Sequence, residues 1–114
     1  MAATVYKIMR ESEWREASAA GRFEGSAVDR RDGFIHLSTA TQVEETARRH
    51  FAGQTDLVLL AFDAASLGEA LRYEPSRGGE LFPHLYAPLT ASVVRKAAPL
   101  PWDGTRHVFP PLEP

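Results

Sequence analysis

Apolar and polar positions alternate weakly over TVYKIM (residues 4–9), where Val5, Tyr6 and Ile8 carry the pattern of a first β-strand. Helical spacing follows. Ser12 is a capping residue, Glu13 puts negative charge in the first turn, Trp14 and Ala17 lie three apart on one face, and Gly21 is placed to end the helix in a left-handed conformation. RFEGSAVDRRDG (22–33) reads as a polar connector. FIHLS (34–38) resumes as a strand, and alternation puts Phe34, His36 and Ser38 on one face.

A second helix is signalled by Thr41 and Glu44 in a capping-box pattern, by Val43, Ala47 and Phe51 at helical spacing, and by Gly53 after the last turn. DLVLLAF (56–62) is apolar nearly throughout, as expected of a central strand covered on both faces. Leu67 and Leu71 suggest a helical turn or two, LRYE (71–74) is extended, and PSRGGE (75–80) breaks the pattern. The two prolines of LFPHLYAPL (81–89) predict an edge strand or a structured loop rather than a central strand. ASVVRKA (91–97) supplies a last strand, and the proline-rich tail from Pro99 is expected to lie extended over the body.

Composition narrows the class. A chain of 114 residues with 44% hydrophobic content fits a single domain over residues 1–114 that buries about 65% of its unfolded surface. The net charge of −2, with both signs interspersed, argues against duplex nucleic acid as a partner. With no cysteine, disulfides, thiolate catalysis and the common zinc clusters are excluded. MAATVYKIMRESEW has no apolar stretch behind a basic start, and no run approaches the length of a bilayer span, so a cytoplasmic protein without membrane contact is expected. Oligomeric state is left open.

Glycine-rich dinucleotide turns, phosphate-binding loops, His-Glu-x-x-His helices and nucleophile elbows are all missing. What remains is a constellation: His36 with Ser38 and Thr39, Glu74 with Ser76 and Arg77, the Gly78–Gly79 pair, and His84 with Tyr86. Each has two readings. A histidine among apolar neighbours is a hydrogen-bonded core residue or a site residue. Ser38 and Thr39 cap the following helix or meet a ligand. Glu74 and Arg77 form a surface pair or face a cleft. The RGG stretch is a hairpin turn, or a place where backbone amides and a guanidinium approach an anion. The spacing matches no metal site, and no metal is expected.

Several of these residues carry a resemblance. VYKI, Trp14, DGFIHLST, Gln42, a helix ending in HF, LRYE and GGELFPHLYAPL together resemble the DUF952 family over nearly the whole chain. The resemblance implies a compact, divergent relative of the ADP-ribosyltransferase fold, in which a split, mostly antiparallel or mixed sheet flanked by two main helices holds NAD or an ADP-ribose-like ligand in a cleft. First strands of such transferases often bear a His or Arg for the nucleotide, and many DUF952 members resemble them in having Tyr-His there, whereas this chain has Tyr6-Lys7. Lys7 can meet a phosphate as a point charge but cannot accept a hydrogen bond.

The expectation is therefore an α+β domain with a cleft for a small-molecule or nucleotide-like ligand, with NAD as the implied substrate. Catalytic candidates are His36, Glu74 and His84; ligand-binding candidates are Lys7, Ser38, Thr39, Arg77, Gly78, Gly79 and Tyr86. His36 and His84 are expected to line one cavity. The alternative is a non-catalytic small-ligand or protein-binding module whose histidines are structural.

Overall fold

A computed structural model describes residues 3–114. Its elements run β1 (Thr4–Arg10), α1 (Glu11–Ala20), β2 (Arg22–Phe23), α2 (Ala27–Asp32), β3 (Ile35–His36), β4 (Ser38–Thr39), α3 (Val43–His50), β5 (Leu57–Asp63), β6 (Leu71–Pro75), β7 (Leu81–Leu85), β8 (Leu89–Thr90) and β9 (Lys96–Pro99). Short 3₁₀ segments span Ala64–Ala70, Arg77–Gly79 and Ala91–Val93. The result is an α+β domain with a split sheet: a four-stranded sheet in the order β4-β1-β5-β9, a three-stranded sheet in the order β3-β7-β6, and a small β2-β8 pair. Every strand pairing within these sheets is antiparallel.

The apolar run of residues 56–62 becomes β5, flanked by β1 and β9 and buried on both faces as expected. Val58, Leu60 and Phe62 join Val5, Met9, Ala17, Ile35 and Leu85 on one side. Leu57, Leu59 and Ala61 join Tyr6, Ile8, Val43, Ala47 and Leu100 on the other. Alternation along β1 puts Lys7 on the same side as Val5 and Met9, facing the core against the three-stranded sheet. The tail crosses the body as expected. Thr4 N donates to Pro114 O at 3.1 Å, and Tyr6 Oη donates to Glu113 O at 3.0 Å while accepting from Glu113 N at 2.8 Å.

Five expectations are corrected, the fifth being the edge strand or loop expected of residues 81–89, where β7 is central. The connector of residues 22–33 contains β2 and α2. Ser26 caps α2, its hydroxyl accepting from Asp29 N at 3.3 Å while the Asp29 carboxylate accepts from Ser26 N at 2.9 Å. Both long helices begin at other caps than Ser12 and Thr41, which are displaced by Arg10 and Gln42. The last strand starts at Lys96, because residues 91–93 curl into a 3₁₀ turn. FIHLS is split at Leu37: β3 belongs to the three-stranded sheet and β4 to the four-stranded one, so Ser38 leaves the face shared by Phe34 and His36.

That split also explains why β7 is central despite its proline. Tyr86 N donates to Ala70 O and Ser76 N to Glu80 O, a register in which the backbone groups of Pro83 point away from β6. Pro83 O accepts from Leu37 N at 3.0 Å. The donor that proline lacks would face Leu37, where the neighbouring strand is already crossing to the other sheet, so the β6–β7 ladder loses nothing.

Candidate functional site

β3 and β7 place His36 directly opposite His84 in the sheet. Cross-strand partners project to the same face, and the two rings lie 5.7 Å apart edge to face. The two histidines, expected to line one cavity, share one face of the three-stranded sheet.

Behind His36 lies a buried ion pair. Lys7 Nζ sits 3.1 Å from Asp29 Oδ2 and donates to His36 O at 3.0 Å. Asp29 Oδ1 accepts from His36 N at 3.1 Å and contacts His36 Nδ1 at 2.6 Å. With Ser26 N and Lys7 on Oδ2, both carboxylate oxygens are fully engaged. Burial by itself would raise the Asp29 carboxyl, but the His36 hydrogen bond and the Lys7 charge outweigh it and hold the group well below the usual carboxylate range. Burial pulls the Lys7 ammonium below its ordinary value, with Asp29 opposing the fall. Gly25 makes room for this packing: its φ is +114°, and a Cβ there would lie 2.9 Å from Asp29 Cβ.

The second nitrogen of His36, Nε2, is 3.0 Å from Asp32 Oδ2. Only a doubly protonated ring donates to both carboxylates. His36 is thus clamped, with its side chain 33% exposed and both polar atoms occupied.

His84 is arranged differently. Its Nδ1 is 2.8 Å from Glu74 Oε1, which also accepts from Tyr86 Oη at 2.7 Å. A carboxylate accepts, so Nδ1 carries the proton and neutral His84 keeps a lone pair on Nε2. Among the described residues, Nε2 has no hydrogen-bond partner, and no buried side-chain nitrogen or oxygen is left unpaired. The ring itself is buried, with the His84 side chain only 6% exposed. The Tyr86 and His84 hydrogen bonds hold the Glu74 carboxyl below its ordinary value, and Glu74 in turn raises the Tyr86 phenol. Phe34 stacks on the His84 ring at 4.0 Å and touches Tyr86 at 5.3 Å, and the Arg72 guanidinium lies 5.1 Å over Tyr86.

Of the residues singled out in the sequence, His36, His84, Glu74 and Tyr86 form this face, with Lys7 as its internal support rather than an exposed phosphate contact. Arg77 stacks over Phe82 at 4.7 Å, and Phe82 alternates onto the same face as His84. Ser38 and Thr39 stand apart. Ser38 is buried with its hydroxyl 2.9 Å from Thr46 Oγ1, and Thr39 N donates to Gln42 Oε1. Both hold the start of α3. The Gly78–Gly79 turn spends the amides of Gly79 and Glu80 on the carbonyls of Ser76 and Arg77. Glu74 and Arg77 make no ion pair with each other among the described residues.

No site role is assigned from the sequence to Asp29, Asp32, Phe34 or Gln42; Phe34 is placed there only on the face of His36 and Gln42 only in the family resemblance. The Ser26-x-x-Asp29 box was the available signal for α2, but nothing local links Asp29 to Lys7. Among the described residues no three His, Asp or Glu side chains converge as metal ligands. A groove of about 320 Å³ opens elsewhere, between α3 and the tail, lined by Arg48, Trp102, Arg106 and Phe109 among others.

Residues 8–97 match the profile of the family described as protein of unknown function DUF952. The crystal structure of protein CC0527 from Caulobacter crescentus is 55% identical, with 91% of each chain covered and a TM-score of 0.88. The solution NMR structure of CC0527 is 56% identical, covers 89% of this chain and 87% of that one, and has a TM-score of 0.81. Among curated proteins, none matches.

Proposed function

The chain belongs to the DUF952 family, and we propose that the face of His36, His84, Glu74 and Tyr86 is its small-ligand site, with His84 Nε2 as the reactive atom. The observation that carries this reading is the contrast between the two paired imidazoles. Both nitrogens of His36 are held by carboxylates, whereas His84, in a buried ring, has one nitrogen oriented by Glu74 and the other without a hydrogen-bond partner among the described residues. Such a ring accepts a proton from a hydroxyl, returns it to a leaving group, or accepts a hydrogen bond from a ribose. Phe34 and Tyr86 supply an aromatic platform beside it. This chemistry suits the nucleotide-like ligands, NAD and ADP-ribose among them, that the transferase resemblance implies.

A second reading, recognition without turnover, draws on the clamping of His36, which acts here as a fixed wall and not as a proton carrier. The two readings share a ligand and differ in product.

The test is a titration of isotopically labelled protein with NAD, ADP-ribose and adenosine monophosphate, following the His84 ring nitrogens by NMR, with thermal melts alongside. A ligand at 100 times its dissociation constant adds about 2.7 kcal/mol of apparent stability. The expected result is a saturable shift at His84 Nε2 that is lost in His84→Gln. A ligand that stabilises the fold while leaving the His84 resonances in place would overturn the assignment. Chromatography of the same mixtures for a cleaved or transferred product separates turnover from recognition.

A further inference from the structure

Beyond the paired imidazoles, the same face continues to the β6–β7 turn, where three observations coincide. The Arg77 guanidinium carbon lies 4.7 Å over the centre of the Phe82 ring, and among the described residues it makes no ion pair or hydrogen bond. Its N–H donors are thus left free, as the fork that meets a tetrahedral oxyanion requires. The turn itself is built to stay open: Gly78 and Gly79 have φ of +69° and +79°, and a Cβ at either would meet nothing within 4 Å. The two carboxylates nearest in sequence, each three positions away, are engaged elsewhere: Glu80 by Gln42 Nε2 at 2.7 Å, and Glu74 by His84 and Tyr86.

α3 is docked against this turn. Gln42 Nε2 donates to Leu81 O at 2.8 Å as well as to Glu80. We infer that the end of the face at Arg77 is a subsite for a phosphoryl group, the anionic part of the ligand held at His84. The inference rests on the proposed ligand site and names the ligand's charge. Electrostatics supports it independently: partial burial and the positive charges of Arg77, Arg49 and His36 hold the His50 imidazole below its ordinary value. Arg49 pairs with Glu45 and His36 with Asp29 and Asp32, which leaves Arg77 as the cation in that group without a counter-charge among the described residues. A bound dianion would relieve this repulsion and favour protonation of His50.

Two probes separate this inference from the reading it rests on. Inorganic phosphate is titrated at constant ionic strength against a chloride control, following Arg77 Nε by NMR. Saturable shifts with phosphate and none with chloride are expected, weakened about tenfold or more in Arg77→Ala, the loss of one charged hydrogen bond. Adenosine and adenosine monophosphate are then compared. The monophosphate should bind more tightly in the parent protein, and Arg77→Ala should abolish that advantage while leaving adenosine affinity unchanged. Phosphate behaving like chloride, or a monophosphate advantage that survives Arg77→Ala, would overturn the subsite. If neither nucleoside moves His84, the ligand-site reading fails, and saturable phosphate shifts at Arg77 would still establish the anion site alone. Arg77 lies on an exposed turn, and unchanged melts of Arg77→Ala show that the fold is intact.

Discussion

Lys7→Met tests the support beneath the site. The substitution keeps an unbranched apolar stem and removes the ammonium, leaving Asp29 almost fully buried without its charged partner and His36 O without a donor. Breaking a buried ion pair from one side costs about 3–5 kcal/mol. Asp29 keeps the His36 ring and the amides of Ser26 and His36, so a loss near about 3 kcal/mol is expected, the low end of that range. At roughly 4 °C per kcal/mol for a domain of this size, the melting temperature should fall by about 12 °C. The measurement is a pair of denaturant melts run across pH. Because the folded-state Asp29 carboxyl lies below its unfolded value of 3.8, its contribution is fully present above that pH and is lost as the pH falls below it toward the folded value. Lys7→Met removes part of what holds the carboxyl down, so the acid loss of stability should become shallower. Stability within about 0.5 kcal/mol of the parent, the usual span of a neutral surface change, with an unaltered acid limb, would refute the reasoning.

Glu74→Gln should let Tyr86 ionise at lower pH, because the Glu74 carboxylate is the main cause that raises its phenol. Ultraviolet difference titration against a Tyr86→Phe control reads this, and superimposable curves would show that the Glu74 contact does not govern the phenol. Gly25→Ala forces both a left-handed backbone and a Cβ contact at 2.9 Å with Asp29, and should cost more than about 1 kcal/mol. Gly79→Ala bears similar backbone strain with open space around it, so chemical melts should find it the milder of the two.

Local patterning announced the parts whose burial it encodes. An unbroken apolar run became β5 because a strand covered on both faces has no polar side to alternate. Val43 and Ala47 bury one face of α3, and Gly21 closes α1 in the left-handed conformation read from the sequence. His36 and His84 were visible as two imidazoles in similar contexts. Their juxtaposition required the pairing of β3 with β7, which joins segments almost fifty positions apart and is set by sheet register. The same holds for Pro83, whose place in a central strand became tolerable only because Leu37 turns out of the sheet beside it.

Asp29 shows the limit most clearly. In sequence it sits among arginines in a polar stretch and reads as a solvated charge. In the fold it is one of the most buried polar groups, joined to Lys7 across 22 positions. Periodicity records which side of an element meets apolar neighbours, a property of short stretches. Which cation meets which carboxylate, and which imidazole nitrogen is left open, depends on how distant strands stack. Only the assembled tertiary structure sets that, because the desolvation that makes those contacts obligatory does not exist until the core has closed over them.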